Sequence, residues 1–356
     1  MLTRRLEPPN GCFYRRRQRL WLSSGSRWEG GLLPGTVQMT DVTTISVYER
    51  RYGDKEEHMR TVDVGTSFLL SGPSPTATFL RVRPSDADTI QSRLSIVDQH
   101  GAERLTETEP DTGIHRLGPQ YVDRIVLPAG TNAISYAATV EISESPDLMP
   151  ADLRAPRASA LRPEHWWWLQ ASRYCRPDEL GPEAWQRFGR HITPDCPATG
   201  ATVRSICSFV GEEMAFAYGS TTPFTSASEA WAQRRGVCRD FNHIAASFCR
   251  ALNIPTRYVF GYLPDLDVTP NELPMDFCAW IEVCLEDTWW TFDARVNEPR
   301  IGRIVVGRGR DAADVPMIST LGATLLTDFV VVASERMPQP EQNARRSPQC
   351  VTTDAK

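Results

Sequence analysis

From about residue 42 to residue 145, apolar and polar residues alternate in short runs separated by turn formers. Thr43–Tyr48, Thr76–Arg83 and Leu94–Val97 are β-branched or alternating. In Ala133–Ile142 the side chains of Ile134, Tyr136, Ala138, Val140 and Ile142 fall on one face. Turns such as Pro128-Ala129-Gly130 punctuate the runs. Short strands at this spacing predict a small antiparallel β-sandwich over 42–145. That region carries no catalytic constellation, and His100 and His115 read as surface or turn residues.

The pattern then changes. Residues 146–163 are rich in Pro, Ala, Ser and Arg, as an interdomain linker would be. His165-Trp166-Trp167-Trp168-Leu169 follows, and so dense a Trp cluster is expected to pack against the next domain. A short helix is expected at Pro182–Phe188. A second, Ala201–Phe216, sets Val203, Ile206, Cys207 and Val210 on one buried stripe. Ser226 and Glu229 have capping-box spacing, and Arg234, Arg235 and Gly236 read as a helix stop. The next helix starts at about Cys238 and is apolar almost all round through Leu252, which predicts burial. A strand over Thr256–Leu263, a polar loop over Pro264–Pro274 and a hairpin complete a second region, 164–336. Residues 1–41 and 337–356 read as a disordered extension and tail.

Composition narrows the function classes. The chain has 356 residues, enough for about two domains of ~150 residues. A net charge of -5 gives no reason to expect nucleic acid as a partner. Its nine cysteines form no C-x-x-C pair, so neither structural zinc nor a disulfide framework is indicated, and a reducing, cytoplasmic setting is expected. No apolar run approaches the roughly 20 residues of a membrane span. The arginines of the first thirty residues flank no signal-peptide core. No acidic loop has calcium-site spacing. No cofactor, metal, nucleic-acid or membrane partner is therefore expected.

The candidate chemistry centres on Cys238. Unpaired amides and the positive end of a helix dipole stabilise a thiolate at a helix start. The same amides can stabilise an oxyanion when sulfur attacks a carbonyl. If Glu286-Asp287 is a two-residue turn, Leu285 faces Thr288, Trp280 faces Asp293 and Cys278 faces Arg295. Cys278, Trp280, Asp293 and Arg295 then share one face. Cys278 and Asp293 become diagonal neighbours roughly 7–8 Å apart, the relation a base and its orienting carboxylate need. Trp231 and Trp280 are the aromatic candidates for substrate binding. Trp280 and Trp289-Trp290 either line an acyl-binding tunnel or simply pack the hairpin.

Three ordered motifs carry a resemblance. Gly236-Val237-Cys238-Arg239-Asp240-Phe241, then Asp276-Phe277-Cys278-Ala279-Trp280-Ile281-Glu282-Val283, then Trp290-Thr291-Phe292-Asp293 resemble the bacterial transglutaminase-like superfamily over roughly residues 165–300. The preceding strands resemble that family's N-terminal region. Arg300–Arg303 and Gly309–Val315 resemble the extension that often follows its core. The resemblance implies an α+β fold, an N-terminal antiparallel β-sandwich before a papain-like core. It also implies a Cys-His-Asp triad for acyl transfer or amide and peptide hydrolysis through a thioester, with no obligatory cofactor. The implied substrate is a protein, a peptide or a small amide. Cys238 matches the nucleophile and Asp293 the orienting acid, but the histidine position is Cys278, and no histidine follows His243. A neutral thiol, with pKa about 8.5, is a poor base. His243, five helical residues past Cys238, points well away from it. Three readings stay open: a weak cysteine hydrolase or acyltransferase, an impaired binding module that keeps the cleft, and a Cys238–Cys278 redox pair or metal site. Cys284 shares the face of Cys278 but lies near the turn.

Overall fold

The computed structural model describes residues 58–104, 113–117, 120–270 and 273–336. The anticipated extension 1–41, strand Thr43–Tyr48 and tail 337–356 lie outside them, as does the side chain of His115. Within the described residues the chain runs β1 Met59–Gly72, β2 Thr76–Leu80, β3 Asp88–Val97, β4 Glu103–Arg104, β5 Gly113–Leu117, β6 Gln120–Leu127 and β7 Gly130–Ser143. It continues with α1 Pro163–Trp167, α2 Pro177–Phe188, α3 Gly200–Glu213, β8 Ala215–Phe216, α4 Ala227–Gln233, β9 Arg235–Gly236 and α5 Cys238–Ala251. The last strands are β10 Thr256–Tyr262, β11 Cys278–Leu285, β12 Thr288–Phe292, β13 Ile304–Gly309, β14 Ile318–Thr320 and β15 Leu325–Glu335.

Alternation explains the first sheets. The even-numbered residues of β7 from Ile134 to Ile142 are all buried, as the period-two pattern requires. β1, which the sequence reading does not single out, buries Val62, Val64, Phe68 and Leu70 in the same way. It pairs antiparallel with β7 along its whole length. One antiparallel sheet has the order β15-β1-β7-β3-β4 and a second the order β14-β2-β6-β5. Residues of both, among them Phe68, Ile134, Leu80 and Ile125, share one buried cluster. The two C-terminal strands thus complete sheets begun near residue 59, although in sequence they follow the core region. The stretch read as a linker also has fixed partners. Gly200, which opens α3, lies so close to the Pro150 carbonyl that an added Cβ would stand 1.7 Å from that oxygen.

A third, four-stranded sheet, in the order β12-β11-β10-β13, positions the site. Helices α2 to α5 pack on Ile281, Val283, Leu285 and Phe292, while Trp280, Val259 and Val305 form a cluster of their own with Cys278 against it. Helix α5 is buried from Asp240 to Arg250, as expected, and the buried positions include the polar Asp240, Asn242, His243, Ser247 and Arg250 as well as the apolar ones. α3 buries Val203, Ile206, Cys207 and Val210, the expected stripe. The capping box of α4 forms, with the Ser226 hydroxyl accepting from the Glu229 amide and the Glu229 carboxylate accepting from the Ser226 amide at 2.7 Å. Its stop differs from the expectation. The helix ends at Arg234 in the left-handed region (φ 55°), and Gly236 instead lies in β9, parallel to β8.

Within this sheet Glu282 on β11 is buried between Arg257 on β10 and Arg308 on β13. Burial opposes the carboxylate charge, but the two guanidinium groups outweigh it and hold its pKa at about 2, below the ordinary 4.5. A depressed folded-state pKa contributes stability that is complete above about 4.5 and is lost as the pH falls toward about 2. Arg308→Met leaves that buried charge with one fewer partner. It should destabilise the fold toward the lower end of about 3–5 kcal/mol, since Arg257 remains. It should also move the onset of acid unfolding to higher pH, both measured by urea titration followed by circular dichroism across pH 2 to 7.

Candidate functional site

Helix α5 begins at Cys238, as the sequence predicts, and its start is tied to the preceding loop. The Asp240 carboxylate accepts from the Val237 amide at 2.9 Å and from the Thr221 hydroxyl at 2.5 Å. Its other oxygen accepts from Arg239 at 2.9 Å, and Arg239 also donates to the Thr222 carbonyl. Gly236 makes this cap possible, because a Cβ there would stand 2.7 Å from that of Asp240. The Cys238 thiol is half-buried and points at the Phe277 carbonyl, 3.7 Å away.

Its electrostatics differ from the expected thiolate. Burial pushes the Cys238 thiol well above its ordinary value, and Cys278 and Asp276 push the same way. Arg295 and the Ala279 amide oppose that rise without reversing it. Burial also raises the Cys278 thiol, with Arg295 opposing and Asp293 adding to the rise. The hairpin turn forms as anticipated, with Glu286 and Asp287 both at positive φ (48° and 60°) and Leu285 opposite Thr288. The ladder stops at Ile281 opposite Phe292, however, so the expected pairing of Cys278 with Arg295 and of Trp280 with Asp293 does not form.

Asp293 leaves the strand and is held by other groups. Its Oδ1 accepts from the amides of Arg295 (2.8 Å) and Val296 (3.2 Å) and from Asn242 Nδ2 (3.2 Å). Its Oδ2 accepts from Arg303 at 3.0 Å, and Arg303 also donates to Asp147 at 2.6 Å. No hydrogen bond joins Asp293 to Cys278 among the described residues. Asn242, one turn past Cys238, further donates to the carbonyls of Cys238 (3.0 Å) and Ala279 (2.8 Å), and its oxygen accepts from the Ala294 amide (3.2 Å). One buried amide therefore ties the start of α5 to β11 and to the chain leaving β12. Tyr218, exposed, reaches the Pro274 carbonyl at 3.4 Å. It stands near enough to Asp276, Cys238 and Cys278 for all three to add to the rise that burial causes in its own pKa.

Sequence reasoning overlooks Asn242, Arg303, Asp147 and Tyr218. Only Asn242 carries a signal, as an amide one turn past Cys238 in a helix expected to be buried, where it must find partners. Two aromatic candidates move. Trp231 is 5% exposed in the core, its ring edge-on to Phe248 and its indole N–H donating to Glu183 at 2.7 Å. Trp280 is fully buried behind Cys278, with Arg303 5.2 Å over its ring. The expected packing of the Trp166–Trp168 cluster is partial: Trp168 meets Trp289 edge-on and Arg310 lies 4.4 Å over the Trp167 ring, while Trp166 and Trp167 stay largely exposed. His243 is a core residue, stacked on Tyr174, accepting from the Ala312 amide and kept neutral by a burial that pushes its pKa down to about 3. His100 sits exposed in a turn, as expected. Asn242→Leu should leave the Ala279 carbonyl, the Ala294 amide and part of Asp293 unpaired, costing at least about 1–3 kcal/mol in urea unfolding.

The family model described as the transglutaminase-like superfamily matches residues 186–294, a span that contains Cys238, Cys278 and Asp293. The fold is similar to the crystal structure of a candidate cysteine protease from Cytophaga hutchinsonii, with a TM-score of 0.65 and 25% identity over 79% of this chain and 92% of that one. An uncharacterized protein of Mycobacterium leprae is 38% identical over 119 residues, covering 32% of this chain and 42% of that protein. One of Mycobacterium tuberculosis is 34% identical over 125 residues, covering 32% of this chain and 39% of that protein. The chain thus spans less than half the length of the curated relatives it matches. With the ordered motifs and the mixed helix and strand core around Cys238, these matches identify residues 186–294 as a transglutaminase-like superfamily domain.

Proposed function

We propose that this transglutaminase-like domain binds a peptide or carboxamide group in the cleft at Cys238 but turns it over slowly or not at all. The observation that carries this reading is Cys278 at the position of the base. Attack by Cys238 on a carbonyl needs its proton removed and later returned to the leaving amine. Neither hydrogen bond nor ring contact joins a histidine to Cys238 among the described residues. Cys278, itself raised by burial, is a poor acceptor at neutral pH. An imidazolium would favour the thiolate, whereas Cys278 and Asp276 disfavour it. Asp293, which would orient an imidazole, is bound instead to Arg303 and Asn242. A likeness to a candidate cysteine protease supports a peptide as the class of ligand.

Acyl transfer or hydrolysis through a Cys238 thioester remains the reading to test against it. Iodoacetamide labelling of Cys238, followed by peptide mass mapping, should stay slow at neutral pH and still be rising above pH 9. Cys278→His supplies an imidazole and should raise labelling at pH 7 by about tenfold or more, since one unit of thiol pKa is a tenfold change in thiolate. The wild type should release no ammonia from a glutaminyl peptide above the level of Cys238→Ala, while both bind that peptide alike in calorimetry. Rapid wild-type labelling at pH 7 together with Cys238-dependent ammonia release would replace the binding reading with the enzymatic one.

A further inference from the structure

At the far end of the hairpin, a second group of reactive side chains converges outside the site at Cys238. His165 in α1 and Cys284 on β11 are 2% and 1% exposed. The His165 Nε2 stands 3.7 Å from the Cys284 Sγ and 3.4 Å from Asp287 Oδ1 at the exposed hairpin turn. The donor atoms of all three lie within 4.8 Å of one another.

We propose that His165, Cys284 and Asp287 form a binding site for a divalent cation of the zinc type. The donor set is one imidazole, one thiolate and one carboxylate, all accepted ligands of zinc. The spacing fits as well. Tetrahedral zinc with a sulfur at about 2.3 Å and a nitrogen or oxygen at about 2.0–2.1 Å separates sulfur from nitrogen by about 3.6 Å and nitrogen from oxygen by about 3.3 Å. The observed 3.7 Å and 3.4 Å are close to those edges. Asp287 supplies the remaining edge by turning its side chain, which is 61% exposed. Three protein ligands leave the fourth position to water on the side where Asp287 meets solvent.

The surroundings hold the donors in place. Trp168, just past α1, meets Trp289 edge-on at 5.8 Å, and Trp289 is the strand partner of Cys284. The turn is fixed by the positive φ of Glu286 and Asp287. Arg162 is the group a cation would displace, since it lies 3.2 Å from His165 Nε2 and 3.4 Å from Asp287. Its side chain is half exposed and already pairs with Glu164 at 2.9 Å, so it has somewhere to go. The long 3.4 Å contact from the Arg162 amide to His165 Nδ1 is given up when Nδ1 carries the ring proton, and the exposed Arg162 can pair that amide with water. Binding exchanges the thiol proton of Cys284 for a metal–sulfur bond and releases that proton to solvent. No electron is transferred.

The test is titration of the full, chelator-treated chain with Co²⁺ alone, read by the absorption of thiolate-to-cobalt charge transfer. One Co²⁺ per chain with that band is expected, displaced by Zn²⁺. Cys284→Ala should abolish the band. Asp287→Asn, at an exposed turn position where asparagine keeps the backbone, should keep the circular dichroism of the wild type and weaken binding by at least about 100-fold, the upper end of what an outer-shell change costs. A Cys238→Ala/Cys278→Ala variant should keep the band. A folded wild type without the band, a band that survives Cys284→Ala, or unchanged affinity in Asp287→Asn overturns the proposal.

Discussion

A buried primary amide, that of Asn242, is the constraint on which the site depends. Its two N–H groups are shared among the carbonyls of Cys238 and Ala279 and the carboxylate of Asp293, and its oxygen receives the Ala294 amide. In a core of low dielectric each unmade bond is costly, so the amide sets the distance between α5, β11 and the chain leaving β12. Beside it, the Cys238 thiol contact to the Phe277 carbonyl at 3.7 Å is a long and weak tie between the same two elements. Arg303 adds a second fixed element by bridging Asp293 to Asp147.

The same network holds the surroundings of Cys238 and Cys278 without help from either thiol. Asp293 has a structural task, holding the amides of Arg295 and Val296 and the Arg303 guanidinium, whether or not a base stands at position 278. The arrangement of these side chains is thus fixed independently of the residue at position 278. The helix start is capped through Asp240 and Gly236, while burial, Cys278 and Asp276 together hold the thiol protonated.

The hairpin carries different chemistry at its two ends. At its open end Cys278 lies near Cys238 and within electrostatic reach of Arg295 and Asp276. At its turn Cys284 meets His165 and Asp287 directly. Between them Trp280 and the Arg257–Glu282–Arg308 ion group occupy the same face, so the two ends are separated by a filled, charged core.

Local periodicity and end signals in the sequence determined α3, α5, the capping box at Ser226, the burial of alternate β7 residues and the turn at Glu286-Asp287. Each rests on residues within a few positions of one another. The motif order also determined the transglutaminase-like core and the absence of a histidine at position 278. Tertiary structure alone decided the rest. That β15 pairs with β1, more than two hundred residues away, depends on long-range backbone pairing that no local pattern specifies. That α4 ends on a left-handed Arg234 and that Trp231 turns into the core depend on neighbours no local pattern specifies. The hairpin register could be counted from the turn, but its end could not, because Asp293 is drawn off the strand by Asn242 and Arg303. Burial, which sequence reports only on average, set the sign of the Cys238 shift: it outweighed the helix terminus that the sequence correctly located.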